Sequence, residues 1–145
     1  MNAEKYLNIL QDKIGAAVFA TIDENQQPDS RFINVGVANA QGVFFMTSPT
    51  SHFYSQLANH PFVSITGMSK VEGDIEVIRI KGEVRVLGQE KLEEVLKDNP
   101  YVKDVYPDEE DRKDVQVFQV FKGTGNYMHL QKHFNEDFNF EAKNN

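Results

Sequence analysis

The sequence predicts a mainly β domain, an antiparallel barrel of six or seven short strands with two or three small helices. Three observations predict it. Fifteen Val and eight Ile stand against seven Leu, a bias toward residues that pack well on a pleated surface. Short apolar or alternating runs recur along the chain between polar turn segments. Their spacing fits hairpins better than the strand–helix alternation of a parallel βαβ sheet. At 145 residues the chain has the length of one domain with a single core, so 1–145 is read as one unit.

Taken in order, Tyr6, Leu7, Leu10 and Ile14 fall at helical spacing, and Gly15 stops this N-terminal helix. Ala16 to Ile22 is a buried strand ending in the polar turn DENQQP. Beyond Pro28 a second strand puts Arg31, Ile33, Val35 and Val37 on one face, with Phe32, Asn34 and Gly36 opposite. The NAQG turn leads to a third strand, Val43 to Thr47. A short helix starts near Thr50 or Ser51 with Phe53, Tyr54 and Leu57 at helical spacing, and Pro61 ends it before the strand FVSIT. From Ile78 to Val86 the alternation predicts a strand with Ile78, Ile80, Val84 and Val86 inward. EKLEEVLKDNP reads as an amphipathic helix and PDEEDRKD as a solvated acidic loop. Two further strands follow, VQVFQVF and one around TGNYMHL, before a polar tail that frays from His133.

Composition narrows the function classes. A net charge of −7 and a pI near 5.0 argue against a protein that tracks nucleic-acid phosphates. Without cysteine the chain has no disulfide framework and no thiolate metal site. Glu4, Lys5 and Asp12 interrupt the apolar residues of the first segment, which therefore reads as neither signal peptide nor membrane span. The expectation is a soluble, cytoplasmic domain with no membrane or nucleic-acid partner.

Few residues offer chemistry. His129 and His133 have the i, i+4 spacing of a helical ligand pair, but His129 falls in a strand-like stretch without a supporting acid, so no metal site is predicted. No serine sits in a G-x-S-x-G elbow, so nucleophilic catalysis has no candidate. Met46 to Leu57 is more informative. A strand ends in Met-Thr-Ser, the chain turns at Pro49, and a helix begins. That start reads either as simple capping by Thr50 or Ser51, or as an anion site built from first-turn N–H groups and hydroxyls. Arg31 on an otherwise apolar face is either a snorkelling strand-end residue or the cation of such a site.

Three segments in order resemble the FMN-binding split-barrel family that includes pyridoxamine 5′-phosphate oxidase, over roughly Ile9 to Phe121. VFATIDENQQPDSRFINV is similar to the family's opening hairpin, in which a Pro precedes an Arg-bearing strand. GVFFMTSPTSHFYSQLANHPFVSITG is similar to its G-x-x-x-[FY]-x-T-[SN] strand, its helix start and its Q-L-x-x-N-P motif. IRIKGEVRVL is similar to its R-[VI]-x-G-x-[AV] strand. Small bacterial members related to nitroimidazole reductases and general-stress flavoproteins are the nearest in style.

The resemblance implies a six-stranded antiparallel split barrel, usually a homodimer with FMN bound between the subunits. It implies that Arg31 contacts the FMN phosphate or ribityl chain and that the backbone of Phe32, Ile33 and Asn34 lines the flavin ring. Met46 and Thr47 would face the ring and ribityl chain, and Ser48, Ser51 and His52 would hold the phosphate. His52 and Phe53 stand where the family commonly has a basic pair, so the expectation is that lysine at 53 tightens FMN. The implied activity is flavin-dependent electron transfer to a small-molecule acceptor without a catalytic side chain. The C-terminal substrate motif of true pyridoxamine phosphate oxidases is not found, which argues against pyridoxal phosphate synthesis. The alternatives are a non-catalytic flavin-binding stress module, or a split barrel repurposed for a deazaflavin or for haem, with His52 or His129 on iron.

Overall fold

The computed structural model describes residues 2–88, 110 and 114–143. The predicted helix over EKLEEVLKDNP lies outside the described residues, as does the acidic loop apart from Glu110 and Asp114. The elements are helix α1 (Asn2–Ile9) and a π-helical turn (Leu10–Ile14), then β1 (Ala16–Ile22), β2 (Pro28–Asn34), β3 (Val37–Asn39) and β4 (Gly42–Thr47). Helix α2 (His52–Asn59) follows, then β5 (Phe62–Met68), β6 (Glu76–Gly88), β7 (Gln116–His129) and β8 (Phe134–Glu141). Every described strand pairing is antiparallel. This is the mainly β architecture predicted from the Val and Ile bias.

The sheet runs in the order β2-β1-β5-β6-β7-β4-β3, with β8 added beside β7. Two residues close it. β2 and β3 lie at opposite ends of that path, yet only Val35 and Gly36 separate them in sequence. The Val35 amide donates to the Gly15 carbonyl at the β1 side, and the Gly36 amide donates to the Phe44 carbonyl in β4. One extended stretch thus hands the chain from one sheet edge to the other, and the sheet curls into a split barrel. The predicted second strand is consequently two strands.

The split itself comes from β7. Its first half pairs with β4 and its second half with β8, so β4 and β8 diverge from one parent strand. A bulge at Phe121 marks the change: Val84 pairs with Val120 but Glu83 pairs with Lys122. One extra residue reverses which side chains face inward, so Val120 and Tyr127 both point to the core. VQVFQVF and TGNYMHL are therefore one strand rather than two. A second irregularity follows at Leu87, and Val86 just before it is exposed, against the inward position read from the sequence.

The region from His133 does not fray. Phe134, Phe138 and Phe140 alternate with polar residues, and β8 buries Phe138 and Phe140 against the barrel. Gly125 makes this possible, because a Cβ there would stand 2.2 Å from the Phe138 ring. Helix α1 packs against β3 and β8, and the π turn against β3 and β5. Gly15, at φ +75°, ends that turn by donating its amide to the Leu10 carbonyl. Among the described residues no helix is long and apolar enough to cross a membrane.

Candidate functional site

Residues from β1, β2, β4 and α2 converge where the open edge of β2 meets the start of α2. Thr47 ends β4, buried, and its Oγ1 lies 2.8 Å from Ser51 Oγ. Ser51 is the N-cap of α2: its hydroxyl accepts from the Tyr54 amide at 3.0 Å and donates to the Ser48 carbonyl at 2.8 Å. Ser48 and Thr50 hydroxyls lie 2.9 Å apart and exposed beside the turn. Capping and anion binding are compatible here. Ser51 covers the third amide of the helix, while the first-turn amides of His52 and Phe53 precede any intrahelical acceptor.

Arg31 lies along the same helix. Its Cζ is 4.5 Å from the Phe53 ring centroid, within cation–π range. The guanidinium donates to the Phe19 carbonyl, to Thr21 Oγ1 at 2.7 Å, and to Asp29 Oδ2 and Gln56 Oε1 at 3.0 Å each. Gln56 Nε2 donates to the same Asp29 oxygen, and the Thr21 hydroxyl donates to Gln56 Oε1. Thr21 and Gln56 are buried, while the Arg31 and Asp29 side chains are 20% and 46% exposed. Burial pushes the Arg31 pKa down, and Asp29 opposes this. Asp29 is held below the usual carboxylate range by the Gln56 amide first, then by the charges of Arg31 and, further down, of His52. Sequence reasoning singled out Arg31 but missed Asp29, whose signal was its place two residues before Arg31 on the same strand face.

The other predicted residues separate by exposure. Phe32 is 75% exposed on β2, which lies at an end of the sheet path, so among the described residues no strand pairs with its outer row of backbone groups. Ile33 packs against the core, while Asn34 and Met46 are half-buried. His52 is exposed. Phe53 departs from the expectation of a ligand-facing position: it is 4% exposed, stacked on Phe45 at 5.5 Å and edge-on to Phe19 at 6.2 Å. Its ring is the floor beneath Arg31.

His129 lies in a strand, as its sequence reading had it. It lies at the end of β7, and His133 sits in the following turn with φ 51°, so the two are not a helical pair. His129 Nε2 is 2.5 Å from Asp74 Oδ1, and Nδ1 accepts the Lys132 amide at 3.2 Å. Both ring nitrogens are thus engaged, which leaves none for iron. A cleft of about 1010 Å³ opens along β5 to β8 and the β1–β2 turn, lined by Thr21, Pro28, Phe62, Lys81, Lys122 and Glu141 among others, so it meets the Arg31 cluster at Thr21. It contains none of the α2-start hydroxyls.

With this geometry in place, comparison with known proteins is decisive at the level of family. The family model described as pyridoxamine 5′-phosphate oxidase matches residues 3–128. The chain belongs to the pyridoxamine 5′-phosphate oxidase family. A pyridoxine/pyridoxamine 5′-phosphate oxidase of Mannheimia succiniciproducens is 31% identical over 102 residues, covering 68% of this chain and 47% of that protein. The chain therefore spans about half the length of this curated relative.

Among solved structures, a NimC/NimA family protein of Clostridium acetobutylicum matches with a TM-score of 0.79 and 26% identity, over 96% of this chain and 93% of that one. A haem-binding protein of Mycobacterium smegmatis matches with a TM-score of 0.75 at 14% identity, over 98% and 62%. A pyridoxamine 5′-phosphate oxidase-related, FMN-binding protein of Nostoc punctiforme matches with a TM-score of 0.58 at 11% identity, over 97% and 92%. The last two identities are low enough that these matches speak for the fold alone. This pyridoxamine 5′-phosphate oxidase-family fold therefore has both FMN-binding and haem-binding members.

Proposed function

We propose that this family member binds FMN and acts in the cytoplasm as a flavin-dependent oxidoreductase on a small-molecule acceptor. The observation that carries the proposal is the convergence of Arg31 with the start of α2, 4.5 Å from the Phe53 ring, across some twenty residues of sequence. A helix start with exposed hydroxyls beside a guanidinium is a donor set suited to a phosphate ester. Ser48, Ser51 and His52 would hold the phosphate, and Arg31 would lie against it or the ribityl chain. The edge of β2 at Phe32, Ile33 and Asn34, with Met46 and Thr47 on β4, would line a flat ring.

Electron transfer is chemistry that a bound flavin supplies; the chain's part is binding, orientation and electrostatics. No dedicated acid or base among these residues is assigned a role in turnover. The half-open β2 edge would be completed by a second copy, giving a homodimer with FMN at the interface. Haem held by His129 is the less favoured occupant, because both nitrogens of that ring are engaged.

The absorption spectrum of the purified protein, with its mass by light scattering, tests this reading. The expected result is the two-banded spectrum of an oxidised flavin on a particle of about twice 16.6 kDa. A Soret band, or failure to bind added FMN, would overturn it; a monomer that holds FMN stoichiometrically would remove the shared site.

A further inference from the structure

The Arg31 guanidinium does not reach the start of α2 as a free cation. It arrives already bonded to Asp29, whose carboxylate also takes the Gln56 amide of the same helix. Asp29 thus joins the cation at 31 to α2 at Gln56, about one turn beyond the helix start. The pair Asp29–Arg31 has no net charge, and a phosphate monoester brings between one and two negative charges at neutral pH. Any phosphate placed there must share Arg31 with a carboxylate that it repels. The exposed half of Asp29 moderates this repulsion through solvent and salt without removing it.

We infer that Asp29 is a specificity-determining residue of this site, a built-in anion that lowers the preference for a phosphorylated flavin over its unphosphorylated form. The inference rests on the flavin reading above. It concerns only the phosphate end, because the Asp29 carboxylate accepts from Arg31 and Gln56 and not from Phe32, Ile33, Asn34, Met46 or Thr47, where the ring would lie. Substituting Asp29→Asn keeps an oxygen to accept from Arg31 and Gln56 while removing the charge. FMN should then gain from an uncompensated guanidinium and riboflavin should not.

Flavin-fluorescence titrations at low salt, with FMN and riboflavin against wild type, Asp29→Asn and Asp29→Ala, test this. The expected result is FMN affinity raised roughly tenfold in Asp29→Asn, riboflavin unchanged, and an FMN gain that shrinks as salt rises. An unchanged FMN-to-riboflavin ratio would overturn the inference and leave the flavin reading intact. Weaker FMN in both variants would also overturn it, by showing that Asp29 serves to position Arg31. Should neither flavin bind wild type, the flavin reading fails. Thermal melts with inorganic pyrophosphate then decide the inference alone, since a ligand that binds the native state raises the midpoint. A larger rise in Asp29→Asn than in wild type supports it, and equal rises overturn it.

Discussion

At residue 53 the chain puts an aromatic ring where lysine would be expected to serve a phosphate. Phe53 packs with Phe45 and Phe19 inside the barrel, and the Arg31 guanidinium lies over its face. A lysine here would not reach outward to an anion without first emptying the aromatic cluster. It would place an ammonium beside a guanidinium in surroundings that favour neither. We therefore expect Phe53→Lys to lower stability by about 3–5 kcal/mol, the range for losing a buried aromatic, rather than to tighten FMN. Chemical denaturation checks this, and a variant as stable as wild type that binds FMN more tightly would restore the earlier expectation. The basic charge is thus not merely missing at 53. Its place is taken by the platform that orients Arg31.

At the scale of elements, β8 depends on one glycine. The Phe138 ring lies over Gly125 so closely that any Cβ would strike it, so Gly125→Val must push Phe138, and β8 with it, off β7. Overpacking of this kind costs about 1–3 kcal/mol. The expected signature is local: amide exchange should quicken in Phe134–Glu141 before it quickens in β1 or β5. Uniform quickening would show that β8 is not a separable unit. The same strand shows what the sequence could disclose. Periodicity located β1, β4, α2 and β5 nearly to the residue, because each buries a clean face between polar turns. It misread β8 because Asn135, Glu136 and Asp137 outweigh three alternating phenylalanines in any local count. It divided β7 because a bulge shifts the inward face by one residue, which alternation alone reads as an interruption. At the candidate site, Arg31 stood out as a charge on an apolar face. Its partner Asp29 did not, since an acid at the start of a strand is ordinary until the fold brings Gln56 beside it.

The whole molecule is drawn together at the opposite end of the barrel from Arg31's ring platform, by a buried carboxylate that joins helix to sheet. Glu76, at the start of β6, accepts from Lys13 Nζ and from the Tyr127 hydroxyl, each at 2.7 Å. Tyr127 stacks on Tyr6 of α1 at 4.4 Å, and Tyr6 donates to Glu136 of β8. One carboxylate therefore ties the N-terminal segment to β6, β7 and, through Tyr6, β8. Burial raises the Glu76 pKa, but the hydrogen bonds from Lys13 and Tyr127 together outweigh it, so the net direction is below the ordinary 4.5. Burial also pushes the Tyr127 phenol upward, with Glu76 adding to it, so the hydroxyl remains a donor throughout the neutral range. A folded-state pKa lower than the unfolded one means the unfolded chain binds the proton more tightly. The contribution of Glu76 is therefore complete above about 4.5 and is lost as pH falls through its folded value. Glu76→Gln should be less stable than wild type near neutral pH, by about 1.5–3 kcal/mol for a charge-assisted bond. The two melting temperatures should converge as the solution is acidified, because protonation makes the wild-type group resemble the amide. Asp29, whose pKa is also lowered, is common to both proteins and cancels in the difference. Parallel melting curves that keep a constant gap down to the acid limit would show that the Glu76 charge contributes nothing to holding α1 on the barrel.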